Sequence, residues 1–261
     1  MDIDEYLHID YKSIAHYLAE ELRIAIKKKR FNRAVIGVSG GLDSSVTLAL
    51  LADAIDNEHI HAYFLPYRSS NPESRSDAQL ICDFLDIELI KRDITEQIDI
   101  YFAGEDNLSK LRIGNKCARE RMAVLYDMAS KHNGLVIGTS NRSEIIMGYG
   151  TLFGDLACAI NPLGNLFKSQ VRELAASMGL PEKIVNKVPT ADLWEGQTDE
   201  GEMGVSYRTI DRFSYLYFDR EMTVEEIAEA GIEEEKIEKI IKAYRKNSFK
   251  GEMPYIIPLN I

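Results

Sequence analysis

Ser39-Gly40-Gly41-Leu42-Asp43-Ser44-Ser45 follows directly on the apolar run Ala34-Val35-Ile36-Gly37-Val38 and leads into a stretch of helical character at 44–54. That order of strand, glycine-rich loop and helix is the opening of a βαβ unit with an anion cradle at its turn. Two glycines let the backbone turn tightly and present its N–H groups, the helix N-terminus adds partial positive charge, and the serines add hydroxyl donors. The loop lacks the Gly-Lys-Ser/Thr ending of a Walker A loop, so no lysine is placed to reach a γ-phosphate. An Asp inside a phosphate loop would repel its ligand unless a divalent cation lay between them. Asp43 therefore reads as a magnesium ligand, the plainer reading being a helix cap.

Further apolar runs at 60–65, 87–90 and 135–138 alternate with helical stretches at about 73–85 and 116–131. This alternation predicts an α/β fold, a single domain with a parallel twisted sheet flanked by helices in a Rossmann-like arrangement. Ahead of it, Ile14, Leu18, Leu22 and Ile26 recur at steps of four, the stripe of an amphipathic helix. The expected organisation is an N-terminal helix at about 6–30, a core at about 33–190, and a loop with a C-terminal helical segment at about 191–261. Pro189 to Gly204 reads as a functional surface loop, and Glu225 to Tyr244 as a Glu/Lys-laced packing helix with Ile227, Ile237, Ile240 and Ile241 as its apolar positions. Ligands of such sheets sit beyond the carboxyl ends of the strands, which directs attention to the loops after Val38, Leu65 and Gly138.

A formal charge of −11 over 261 residues argues against a nucleic-acid partner, which would ask for a basic patch or stripe. A polyanionic ligand must instead be met locally, by backbone N–H groups, a metal ion and a few placed Lys and Arg. Cys82, Cys117 and Cys158 are widely spaced, with no Cys-x-x-Cys pair, and read as small buried apolar residues. With no apolar signal core and no run long enough to span a membrane, the expected setting is a reducing cytoplasm without a membrane partner. His59 and His61 alternate along a strand and read as packing or surface residues rather than metal ligands. Trp194 reads either as a stacking platform for a base or as an anchor for its own loop.

Four more stretches follow the glycine loop in order: GNKCARERM from Gly114, GTSNRSE from Gly138, GYGTLFGD from Gly148 and PTADLWEGQTDE from Pro189. On these motifs the chain resembles the N-type ATP pyrophosphatases, whose SGGxDS loop binds the pyrophosphate of ATP, and within them the ammonia-dependent NAD synthetases. The resemblance implies an adenine nucleotide alpha hydrolase-like fold and ATP-dependent amidation of deamido-NAD with ammonia through an acyl-adenylate. It implies ATP contacts at Gly37, Val38, Ser39, Gly40, Gly41, Leu42, Asp43 and Ser44, and further ones at Thr139, Lys168 and Thr190. Magnesium would be shared by Asp43 and Glu144. Arg119 resembles a deamido-NAD contact, and Phe249 and Lys250 resemble the segment that closes over that ligand. Asp155 is similar to the carboxylate that orients ammonium, and joins Asp43 and Lys168 as a catalytic residue.

Glu144 and Asp43 are expected in one strand-end crevice, where two carboxylates suit a hard cation. Lys168 opens a helical stretch, where a cation opposes the helix dipole unless an anion lies near. Arg121 reads equally as a surface charge. The chain has Leu152 where many ammonia-dependent members have a lysine, and Ala159 where they have an acidic contact. Its GYGTLFGD and LWEGQTDE forms resemble those of glutamine-using enzymes; free ammonia is still expected, because only a helix precedes the first strand. On a wheel, Cys117, Ala118, Met122, Leu125, Tyr126, Met128 and Ala129 spread over roughly 200° of arc, which predicts a homodimer through this helix. The alternatives are another N-type ATP pyrophosphatase, such as a tRNA-modifying enzyme, and a nucleotide sensor without turnover.

Overall fold

Strands buried on both faces must be apolar throughout, and the central run 34–38 is. In a computed structural model, which describes residues 4–190, 196–252 and 255–259, β1 (Ala34–Gly37), β2 (Ile60–Phe64), β3 (Leu89–Lys91) and β4 (Leu135–Ile137) form one parallel sheet in the order β3-β2-β1-β4. Ala34 stands opposite Ile60 on one side and Leu135 on the other. The helices up to the fourth strand are α1 (Tyr11–Lys28), α2 (Leu42–Ala54), α3 (Pro72–Phe84), α4 (Thr95–Tyr101) and α5 (Lys110–His132). Then come α6 (Arg142–Met147), α7 (Lys168–Ser177), α8 (Glu182–Val185) and α9 (Asp199–Met203). The chain continues through α10 (Tyr207–Ser214), α11 (Val224–Glu229) and α12 (Glu234–Asn247).

Side chains alternate across a strand, and here the alternation feeds two cores. Ala34, Ile36 and Ala62 pack with α1, α2 and α7 on one face, while Val35, Tyr63 and Val136 pack with α4 and α5 on the other. A separate cluster of Phe213, Ile227, Ile237 and Ile240 holds the C-terminal helices together. The strand order reverses between β1 and β4, so the loops after these two strands flank the crevice where such sheets bind ligands.

Several boundaries differ from the sequence reading, each for a local reason. The α5 helix starts well before 116, because Ser109 caps it by accepting the Arg112 N–H at 3.3 Å. One helix over 225–244 is in fact two: Gly231 at φ +93° breaks it, and Thr223 with Glu226 forms a capping box at the start of α11. The third strand begins two residues late, since Ile87 N–H turns back to Cys82 O at 2.9 Å to close α3. Beyond β4, Gly138 N–H bonds Ile160 O and Ala159 N–H bonds Val136 O, so 159–160 extends the sheet edge. The loop expected at 189–204 contains α9, capped by Thr198; Trp194 lies outside the described residues.

The apolar arc of α5 is used up within the chain. Cys117, Ala118, Met122, Leu125, Met128 and Ala129 are all buried, and only Tyr126 stands 44% exposed, so this helix by itself does not call for a second subunit. Cys82 and Cys117 are buried as expected; Cys158 is half-buried, and all three are free thiols. His61 stacks on His132 with ring centroids 3.7 Å apart, and Tyr63 OH lies 3.0 Å from His132 Nε2.

Two predictions follow from this packing. Gly40 has φ +76°, and a Cβ there would meet Ser74 O at 2.5 Å and Ala78 N at 2.7 Å. Gly179 has φ +70° with nothing within 4 Å. Gly179→Ala should therefore cost about 1 kcal/mol of left-handed strain, and Gly40→Ala at least about 3 kcal/mol through strain plus backbone clash. Thermal melting reads both, at about 2–4 °C per kcal/mol for a chain of this size; equal shifts would refute the close packing at Gly40. The stacked imidazoles are disfavoured as cations, with burial the leading cause for each. Because their folded pKa lies below the unfolded value of about 6.5, the unfolded chain takes up more protons and stability falls as pH drops through that value. Urea melts at pH 7.5 and 5.5 should show this loss, and His61→Phe should shrink it; a variant with the same pH slope would clear the pair.

Candidate active site

The glycine loop ties itself in place with its serines. Ser39 Oγ accepts the Gly41 N–H at 3.2 Å, Ser44 Oγ and Ser45 Oγ donate to Gly41 O at 3.1 and 2.8 Å, and Ser39 Oγ lies 3.1 Å from Ser44 Oγ. No side chain caps α2, which leaves its first-turn N–H groups available to an anion. Lys187 Nζ holds the loop from outside, donating to Gly40 O at 2.9 Å and pairing with the buried Asp77 at 2.6 Å.

At the mouth of this loop Lys168 Nζ pairs with Asp43 Oδ2 and lies 3.5 Å from Glu144 Oε1. Asn141 Nδ2 donates to the other Asp43 oxygen at 2.9 Å, while its Oδ1 accepts the Glu144 N–H and caps α6. Asp43 thus has two partners across the crevice and does not cap its own helix. A third carboxylate joins from α9. Tyr207 OH donates to Asp199 Oδ2 at 3.0 Å and lies 3.4 Å from Glu144 Oε1, and Tyr149 OH donates to Asp199 Oδ1 at 3.1 Å. One ammonium pairs with two carboxylates, and its charge also acts on the third. Burial and the Asp43 charge hold the Glu144 carboxyl well above its usual range, against the pull of Lys168. Burial alone would depress Lys168, but Asp43 and Glu144 outweigh it and keep the amine charged. Burial likewise raises Asp199, with Lys168 and Tyr207 opposing.

A second group assembles at the other end of α6. Lys250 Nζ donates to Gly148 O at 2.8 Å and Gly150 O at 3.0 Å, and Asp155 Oδ1 accepts the Thr151 N–H at 2.9 Å. Surrounding protein raises the Asp155 carboxyl, although its side chain still reaches solvent. Arg119 Nε donates to Leu152 O at 3.2 Å, so this arginine is placed by a carbonyl that any residue at 152 would supply. Phe249 is exposed on the short turn Ser248–Gly251. Thr139 is half-buried just past β4, and Thr190 is half-buried beside Pro189, whose carbonyl accepts the Asp199 N–H at 3.2 Å. Arg121 is no loose surface charge: its Nε donates to Leu65 O at 2.8 Å and pins the loop after β2.

The structure brings Asp43, Glu144 and Lys168 into direct contact, and gathers Asp155, Lys250 and Arg119 near the residues that follow α6. Sequence reading missed Asn141, Asp199, Tyr207, Tyr149, Lys187 and Asp77. Asn141 and Asp199 lay inside quoted motifs, three residues from Glu144 and three from Gly196, and could have been found there; Asp77 and Tyr207 carry no pattern of their own.

The family described as NAD synthase matches residues 14–254. An NH(3)-dependent NAD(+) synthetase of Fusobacterium nucleatum subsp. nucleatum is 43% identical over 250 residues, covering 96% of this chain and 97% of that protein. Among solved structures, the NMN synthetase from Francisella tularensis superposes with a TM-score of 0.85 at 32% identity, covering 97% of this chain and 100% of that one. The NH3-dependent NAD synthetase from Campylobacter jejuni subsp. jejuni, in complex with the nitrate ion, gives 0.81 at 31% identity, covering 96% and 100%. The match extends over nearly the whole length of the chain, and the chain belongs to the NAD synthase family.

Proposed function

We propose that this chain makes NAD from deamido-NAD, ATP and ammonia, with 1–261 acting as one synthetase domain. The observation that carries the reading is the meeting of Asp43, Glu144 and Lys168 at the mouth of an anion loop that offers no lysine for a γ-phosphate. The loop has no Walker A lysine of the kind that reaches the β- and γ-phosphates, which fits departure of pyrophosphate. The nicotinate carboxylate oxygen attacks the α-phosphorus and pyrophosphate leaves; ammonia then attacks the acyl carbon, AMP leaves, and one proton is released. Loop N–H groups and Lys168 stabilise the charge that builds on the phosphate oxygens. Thr139 and Thr190 would complete the ATP contacts.

Among the described residues no three His, Cys, Asp or Glu side chains converge to hold a metal by protein ligands alone. Magnesium needs no such cage, since it is commonly held by one or two carboxylates plus substrate phosphates. Asp43 and Glu144 fit that role, since both carboxylates reach the same Lys168 ammonium at the mouth of the glycine loop. Bound there, the ion would neutralise phosphate oxygens. Arg119, Phe249 and Lys250 would contact deamido-NAD, and Asp155 would orient ammonium and take up its proton. The full-length similarity to an NH(3)-dependent relative supports free ammonia. No helix among the described residues is long and apolar enough to cross a membrane, and a cytoplasmic setting suits the substrates. A homodimer finds support in the exposed Ile100, Tyr101 and Leu111 around α4 and the start of α5.

The test is an assay with deamido-NAD, ATP, magnesium and ammonium. NAD, AMP and pyrophosphate should form in equal amounts, glutamine alone should support little turnover, and Asp43→Asn and Glu144→Gln should each lower kcat at least about 100-fold while the fold persists. ADP as product would sink the mechanism. The likeness to an NMN synthetase supplies a competing product, NMN; by the same amidation its acceptor would be the mononucleotide acid, and a higher kcat/KM for that acid than for deamido-NAD would replace the proposed acceptor. Light scattering at micromolar protein should return the mass of two chains, and Ile100→Glu with Leu111→Glu should return one; a monomer at every concentration rejects the dimer.

A further inference from the structure

Helix α7 begins without a cap of its own. Phe167 stands at its N-cap position and has no side-chain oxygen, so the first N–H groups need partners from elsewhere. Lys168 N–H donates to Ser143 Oγ at 2.9 Å, and Ser169 N–H donates to Asp211 Oδ2 at 2.8 Å. Ser169 Oγ donates to the same Asp211 oxygen at 2.6 Å, and Ser143 Oγ donates to Asp211 Oδ1. These bonds close a ring that joins the first turns of α6 and α7 to α10.

Asp211 is 0% exposed, and burial pushes its carboxyl up to about 6 in spite of the Ser143 and Ser169 donors. A buried carboxylate is costly when its hydrogen-bond donors are neutral and only the nearby Lys168 charge opposes the burial, and the chemistry described above makes no use of this one. Both arms of the ring nevertheless end at the site. Ser143 directly precedes Glu144, and Lys168 is the residue whose N–H the ring holds.

We infer that Asp211 is a positioning residue: by capping α7 and bracing the first turn of α6, it fixes the Lys168 ammonium against Glu144 and so preorganises the ATP end of the site. It acts through Ser143 and Ser169 and touches no substrate. The inference rests on the proposed function for the identity of the nucleotide. Charges that stabilise phosphate must be in place before the reaction, and a displacement of about 1 Å can cost on the order of 100-fold in rate.

Asp211→Asn keeps the shape and an oxygen for Ser169 but turns an amide donor towards Ser143. Titration calorimetry with magnesium and ATP, read without turnover, should show ATP binding about tenfold weaker, and kcat should fall at least about tenfold. The KM for deamido-NAD should stay within about twofold, since its proposed contacts lie beyond the other end of α6. Ser143→Ala added to Asp211→Asn should add little, because the same ring is already broken. If Asp211→Asn does not fold, Ser169→Ala serves in its place and should weaken ATP binding about threefold. ATP affinity and kcat within twofold of the parent, or equal losses for both substrates, would overturn the inference. A parent that binds ATP yet makes no NAD would instead sink the proposed activity and leave the binding comparison intact.

Discussion

Everything at the mouth of the glycine loop depends on one buried cation. Without the Lys168 ammonium, Asp43, Glu144 and Asp199 would be three carboxylates crowded out of water, and such a cluster relieves itself by taking up protons or by moving apart. With it, Asp43 stays paired while Glu144 remains under strain from its neighbours. One ammonium thus faces more than one carboxylate. A polyphosphate alone would make this worse, and a dication arriving with it would make it better, which explains in electrostatic terms why an Asp can stand inside an anion loop.

The sheet supplies the frame for that charge. Parallel strands deliver their C-terminal loops to one edge, and the reversal between β1 and β4 opens a gap between the glycine loop and the start of α6. Asn141 spans the gap, tying Asp43 on one side to the first turn of α6 on the other. The lysine comes from a third element, α7, which explains why its own first turn must be anchored by distant residues.

Much of this was legible in the sequence because it is local. A strand, two glycines and a helix start within a dozen residues give the cradle, and the strands of the core announce themselves by apolar runs. What was not legible depends on chain segments that meet only after folding. Tyr207 carries no pattern of its own, and its place is known only when Asp199 and Glu144 are seen beside its hydroxyl. Asp77 looks like any acidic helix residue, and only the fold shows it buried under the loop between Lys183 and Lys187. The apolar arc of α5 carries less than it promised for the opposite reason: a helix wheel cannot tell a second subunit from a sheet and a neighbouring helix wrapped around the same helix, and here the chain itself covers the arc.

Glu144 stands in the first turn of α6 and Gly148 just past its last residue, four positions that span about 6 Å at 1.5 Å each. That short rod works as a ruler between the place where phosphate charge is met and the place where Lys250 and Asp155 gather. Substitutions along it alter chemistry one side chain at a time. An insertion of a single residue would do something different, adding only about 1.5 Å but turning everything beyond it by about 100°. Gly148, at φ +60° and with no room for a Cβ beside Asn247, clamps the far end of the rod to α12. Drift in length along this segment is therefore barred by geometry well before any functional group is lost.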